Sequence, residues 1–209
     1  MNDECDSPRS DGSTLAASAK SEPEQRISVD IVREDNSWEA DRTLDRLVER
    51  LAGLVVAQIE PAIGRPQGVD KVGRSVEVAL ALSFDERVRT LNRDFRGKDS
   101  ATNVLSFPST GLTADLAASV AKGQESGARE FIGDIIIARE TMLKEANNRG
   151  VAPLDHFAHL VVHGLLHLFG YDHETDEDAV QMEAHETAIL AKLGIADPYN
   201  EEETQGSLG

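Results

Sequence analysis

The stretch His163-Gly164-Leu165-Leu166-His167-Leu168-Phe169-Gly170-Tyr171-Asp172-His173 gathers three histidines into eleven residues of an otherwise apolar run. On a helix, the four-residue spacing of His163 and His167 stacks both imidazoles on one face, roughly 5–6 Å apart at Cβ, a bite that suits a single metal ion. Gly170 stands where such a helix must end, because glycine enters the left-handed C-cap region without a Cβ penalty. The turn it makes returns His173 toward the same ion. Three imidazoles with no cysteine nearby describe a catalytic zinc site with one open coordination position better than a closed structural shell. An ion held this way lowers the pKa of its water to about 7 and polarises a carbonyl or phosphoryl oxygen, so hydrolysis is the implied chemistry.

Other histidines compete for these roles. His159 lies one turn before His163 on the same face, but counting it as a ligand in a shifted triad leaves His173 without a function. It is assigned instead to supporting a ligand from behind, or to plain core packing. His156 and His185 read as structural or exposed. In the familiar zinc-protease helix a glutamate follows the first histidine as general base, and here Gly164 takes that place. Peptide hydrolysis would need its base elsewhere, whereas phosphodiester cleavage leans on charge stabilisation by metal and arginine.

Outward from the histidines, the chain alternates strands and helices. Ile27 to Val32 alternates apolar and polar residues as a half-buried strand does. Leu44, Leu47, Val48, Leu51, Leu54 and Val55 recur at helical spacing, and Val76 to Leu82 forms a second strand. Ser83 to Phe95 reads as a helix with Val88, Leu91 and Phe95 turned inward. Val104 to Phe107 is a short strand closed by Pro108, and Ile132 to Ile137 a buried one. Between them Ser109 to Glu130 is a polar, glycine-containing loop with room for one short helix around Leu112 to Ala121. A helix from Arg139 stops at Asn148-Arg149-Gly150, Pro153 opens the histidine helix, and Thr175 with Asp178 caps a last helix that runs to Leu193. This order predicts an α+β fold: a single domain with a mixed four-stranded sheet packed with helices, and the zinc site at a helix and its following turn.

The boundaries follow from composition. Residues 1–25 are polar, lack any hydrophobic period, and read as a disordered leader. The domain is expected over 26–196, and 197–209 as an acidic disordered tail carrying Glu201-Glu202-Glu203. The lone Cys5 excludes a disulfide framework and a thiolate metal site. No apolar run approaches the ~20 residues of a membrane span, and no export signal is visible, so a cytoplasmic setting is expected.

A formal charge of −17 counts against a nucleic-acid partner, since affinity for phosphates comes mainly from Lys and Arg. The answer is local. Arg87, Arg89, Arg93, Arg96 and Lys98 crowd one helix and the loop after it. The first three fit a solvated helix face, with Arg93 a secondary RNA-binding candidate beside Lys98. Arg96 and Lys98 flank Gly97, and Arg96 is the candidate catalytic donor to a phosphate.

The histidine stretch resembles the signature of the YbeY family of bacterial zinc-dependent endoribonucleases. Leu91-Asn92-Arg93-Asp94-Phe95-Arg96-Gly97-Lys98-Asp99, Thr102-Asn103-Val104-Leu105-Ser106-Phe107-Pro108 and Gly133-Asp134-Ile135 are similar to further family segments, in the family's order across roughly residues 27 to 195. The resemblance implies one Zn2+ held by His163, His167 and His173, a family arginine at Arg96, and cleavage of single-stranded RNA. It implies work on ribosomal RNA, at the small-subunit 3′ end and in ribosome quality control, with the small subunit as partner and neither membrane nor DNA. The leader, the Ser109 to Glu130 loop and the tail exceed the family core. Asn103 stands where aspartate is commoner, and an amide keeps one of the same hydrogen bonds. The competing readings are a zinc-dependent hydrolase of peptide or amide bonds and a non-catalytic ribosome-associated zinc module.

Overall fold

The computed structural model describes residues 26–34, 36–38, 42–63, 76–109 and 130–200. The leader 1–25 with Cys5, the short helix expected around Leu112 to Ala121, and the tail beyond Asn200 lie outside these residues.

Nine elements follow in chain order: β1 (Ile27–Arg33), α1 (Arg42–Ile63), β2 (Val76–Ser83), α2 (Asp85–Arg96), β3 (Val104–Pro108), β4 (Glu130–Ala138), α3 (Arg139–Arg149), α4 (Pro153–Leu168) and α5 (Asp176–Ala191). The strands form one sheet in the order β1-β2-β4-β3. β1 and β4 run parallel to β2, and β3 lies antiparallel to β4 at the edge. The expected α+β architecture with a mixed four-stranded sheet is the one observed.

The sheet separates two apolar clusters. On one side Val78, Leu80, Leu82, Ile132, Ile135 and Ile137 of β2 and β4 join a core shared with α1, α4 and α5. α4 is buried along Phe157, Leu160, Val161, Leu165, Leu166 and Leu168, and its histidines interrupt that apolar surface. On the other side Val88 and Leu91 of α2 cover Leu105, Phe107 and Ile136. Helices α2 and α3 start side by side and cap each other: Thr141 donates its backbone N–H to Asp85 Oδ1 at 3.0 Å, and Asp85 donates its own to Glu140 Oε2 at 3.0 Å.

Two glycines set how closely α4 lies on the sheet. A Cβ on Gly164 would stand 2.9 Å from Ile135 Cγ2 and 3.2 Å from Ser106 Oγ. Gly133 sits at a bulge in β4 with φ +142°, and a Cβ there would meet the Phe107 carbonyl oxygen at 2.3 Å and Leu168 Cδ2 at 2.9 Å. Both positions exclude a side chain, and so the end of β3, the bulge and the last turn of α4 touch. Position 164 therefore faces sheet, which gives a packing reason for the missing glutamate.

One expectation needs correction. Phe95 keeps the helical spacing of Val88 and Leu91, yet it is 70% exposed. The last turn of α2 lies over β3, the edge strand, and Phe95 meets the ring of Phe107 edge-on at 5.4 Å between centroids.

Candidate metal centre

The site begins with a helix stop. Gly170, at φ +88°, donates its N–H to His167 O at 3.0 Å, and Tyr171 N–H follows to Leu166 O at 3.0 Å. The chain then leaves α4 in a direction that carries His173 back over the helix before Thr175 caps α5, its hydroxyl oxygen accepting from Asp178 N–H at 3.2 Å.

His163, His167 and His173 converge, with ring centroids 4.5, 5.6 and 5.1 Å apart in the pairs 163–167, 163–173 and 167–173. One ligand nitrogen from each lies within 4.8 Å of the other two. Nε2 of His163 and Nε2 of His167 are 3.1 Å apart, close to the ~3.3 Å that two nitrogens keep on a tetrahedral zinc with Zn–N near 2.0–2.1 Å.

The other ring nitrogens decide what those Nε2 atoms offer. His163 Nδ1–H donates to Glu186 Oε1 at 2.9 Å, and His167 Nδ1–H donates to Tyr171 O at 2.9 Å. With both rings neutral, two lone pairs then face each other at 3.1 Å, an arrangement stabilised by a cation between them. Burial, reinforced by the repulsion a second protonated ring would meet from His163, holds the His167 pKa below its ordinary value, and the bond to Tyr171 O only partly offsets this. The donor set fits a borderline-soft divalent ion, because all three candidate donors are imidazoles.

Glu186 organises the far side. It is 0% exposed, and burial alone would push its pKa up, but the bonds from His159 and His163 outweigh that and bring it to about 2. Its Oε2 accepts from His159 Nε2–H at 2.7 Å and from the Tyr199 hydroxyl in a short hydrogen bond. Burial and the neighbouring carboxylate hold the Tyr199 phenol well above its usual range, so it stays a donor. His159, His163 and Glu186 also lie within 4.8 Å of one another. The atoms of these three that face one another are paired through donor-to-carboxylate bonds, although His159 Nδ1 is buried without a partner among the described residues. The two facing Nε2 lone pairs are the ones a cation would satisfy. His159 thus reaches the site through Glu186, and His156 bonds Glu145 Oε2 at 3.0 Å.

Glu186 and Tyr199 went unnoticed in the sequence. Glu186 left a readable trace, a carboxylate set into the apolar stripe Met182, Ile189, Leu190 of α5. Tyr199 left almost none. It falls in the stretch assigned to the tail, yet Asp197 to Asn200 folds back: Asp197 Oδ1 accepts from Tyr199 N–H at 2.9 Å and from the Thr187 hydroxyl at 3.1 Å, and Arg149 donates to Pro198 O.

The basic segment divides. Arg89 makes a two-pronged pair with Asp99 at 2.7 and 2.9 Å, and Arg93 pairs with Asp94 at 2.9 Å. Among the described residues Arg96 and Lys98 have no carboxylate partner. Arg96 donates Nη2–H to Ser106 O at 2.9 Å, and the Ser106 hydroxyl lies 3.4 Å from Gly164 O, which ties the arginine to α4 across β3. Asn103 gives its amide N–H to Glu145 Oε2 at 2.8 Å, a bond an aspartate could not donate. A cavity of about 330 Å³ opens beside His163, walled by Asn103, Glu145, Arg149, His159 and Tyr199.

A family profile described as "Endoribonuclease YbeY" matches residues 39–194. An endoribonuclease YbeY of Rhodospirillum rubrum is 45% identical over 177 residues, covering 83% of this chain and 81% of that one. The namesake from Paramagnetospirillum magneticum is 48% identical over 154 residues, 74% of this chain and 86% of the other. A third, from Azorhizobium caulinodans, is 40% identical across 83% and 96% of the two chains. The resemblance first drawn from three motifs extends over most of the chain, and the protein belongs to the endoribonuclease YbeY family.

Proposed function

We propose that this chain is a zinc-dependent endoribonuclease that hydrolyses phosphodiester bonds in single-stranded RNA. In the cell it would act in the cytoplasm, on ribosomal RNA at the small-subunit 3′ end and in ribosome quality control. The observation that carries the reading is the pair of Nε2 atoms 3.1 Å apart whose Nδ1 partners are both acceptors. When bound, a zinc ion supplies Lewis acidity toward a phosphoryl oxygen and a water ligand of pKa about 7.

The chain's own groups do the rest. His163 and His167 present fixed lone pairs, held in register by Glu186 and by Tyr171 O, and His173 closes the triad from the turn. Arg96, steadied by Ser106 O through one nitrogen, keeps its other N–H donors for a phosphate whose charge grows in the transition state. Lys98 and Arg93 meet flanking phosphates. Peptide hydrolysis is disfavoured by Gly164, which is pressed against Ile135 and Ser106 where a general base would be required.

Zinc-loaded protein should cut a single-stranded RNA and leave a duplex of the same sequence and an unstructured protein intact. Cleavage of the protein substrate but not the RNA would overturn the proposal.

A further inference from the structure

Aromatic residues make up only 4% of the chain, so composition alone gives base stacking little support. The structure places one of them where composition could not. Phe95 is 70% exposed at the end of α2, its ring set edge-on to Phe107 at 5.4 Å and 67°. The Arg96 guanidinium carbon stands 6.0 Å from the centre of the Phe107 ring. Gly97, at φ +70°, then turns the chain so that Lys98 follows directly, and Asn92 pins the turn by donating to Ser100 O at 2.8 Å.

We infer that the exposed ring of Phe95, braced edge-on by Phe107, forms a stacking platform for an unpaired nucleobase of the RNA, next to the phosphate held by Arg96; this rests on the endoribonuclease reading. Three features select a nucleobase over an apolar protein surface. The rim is charged, with Arg96 and Lys98 lacking carboxylate partners among the described residues, while Asp94 and Asp99 are engaged by Arg93 and Arg89. A flat ring flanked by cations matches a base flanked by phosphates, and stacking tolerates any base. The Phe107 ring lies on the α2 face of the sheet, but β3 is the edge strand and the Phe107 carbonyl and Leu168, the neighbour of His167, both approach Gly133, so only this edge separates the platform from the end of α4. Asp134, paired in register with Phe107 and exposed, offers an acceptor for an exocyclic amino group.

The test uses the full-length zinc-loaded protein and single-stranded RNA oligonucleotides carrying 5-iodouridine. Irradiation should cross-link the base to Phe95 or Phe107, located by mass spectrometry. In steady-state cleavage, Phe95→Ala should raise KM roughly tenfold with kcat held, and Phe95→Tyr should restore it. Because Phe95 is mostly exposed, the alanine variant should melt with the wild type. An unchanged KM, or cross-links confined to other residues, would overturn the platform while leaving the endoribonuclease reading intact. A change of oligomeric state in Phe95→Ala with KM unchanged would overturn it in favour of contact between copies. Failure of the wild type to cleave any RNA would instead remove the reading on which the platform rests.

Discussion

Replacing Glu186 by glutamine keeps the shape of the side chain and removes one acceptor oxygen. Three donors converge on this carboxylate: His163 Nδ1–H on Oε1, and His159 Nε2–H and the Tyr199 hydroxyl on Oε2. An amide has one carbonyl oxygen and one NH2, so some donor must face the NH2 group. Turning the NH2 toward Oε2 leaves two donors unsatisfied, and turning it toward Oε1 leaves one. The cheaper choice sacrifices His163, a proposed ligand, which then loses the bond fixing its tautomer and ring angle. Removing such a partner lowers metal affinity by about 10–100-fold, or roughly 1.4–2.8 kcal/mol. Competition for zinc against a chromophoric chelator at neutral pH measures this, with circular dichroism confirming that Glu186→Gln stays folded. An affinity within twofold of wild type would refute the argument, because it would mean that His163 is positioned without Glu186.

Tyr199→Phe removes one of the two donors on Oε2, and should weaken zinc binding by a smaller factor than Glu186→Gln in the same chelator assay; a larger loss would reverse the assigned order of control. Arg96→Ala should cut RNA cleavage on the order of 10²–10³-fold with zinc stoichiometry unchanged, and normal cleavage would remove the arginine from the chemistry. Gly133→Ala forces a Cβ against the Phe107 carbonyl at a positive φ, and should destabilise by about 3 kcal/mol or more, read as a lower urea midpoint; an unchanged midpoint would show that the bulge relaxes. Burial holds His156 below its ordinary pKa, the bond from Glu145 offsetting this only in part. The folded-state value then lies below the unfolded one, so its stabilisation is complete above about pH 6.5 and is lost as pH falls through the folded-state value. Urea midpoints of metal-free protein should therefore drop more steeply on acidification for wild type than for His156→Leu; parallel slopes would contradict the assignment.

How far the sequence carried the reading depended on the range of the interactions involved. The element order and the mixed sheet came from hydrophobic period, which local burial writes directly into the chain. The histidine cluster was readable because His163 and His167 share one helix and Gly170 marks the turn to His173, all within eleven residues. Glu186 and Tyr199 act on His163 from 23 and more residues away, and no periodic pattern records a contact made across two helices and a returning segment. Phe95 was misjudged for a related reason. Spacing puts it on the inner stripe of α2, but only the topology, with β3 at the sheet edge, shows that the stripe outruns what it covers. Gly164 carried two messages, and the sequence delivered only the chemical one. Its tight fit against Ile135 and Ser106 appears once the helix is laid on the sheet.

The central claim is that His163, His167 and His173 hold one catalytic ion for RNA cleavage. The most direct measurement strips the purified protein with a chelator, adds zinc back in measured amounts, and follows cleavage of a single-stranded RNA. Activity should vanish with the metal, return in proportion to zinc up to one equivalent, and fail to return in His167→Ala, while circular dichroism shows the metal-free wild type still folded. Full cleavage by the stripped protein, or full recovery by the His167→Ala variant, would contradict the account.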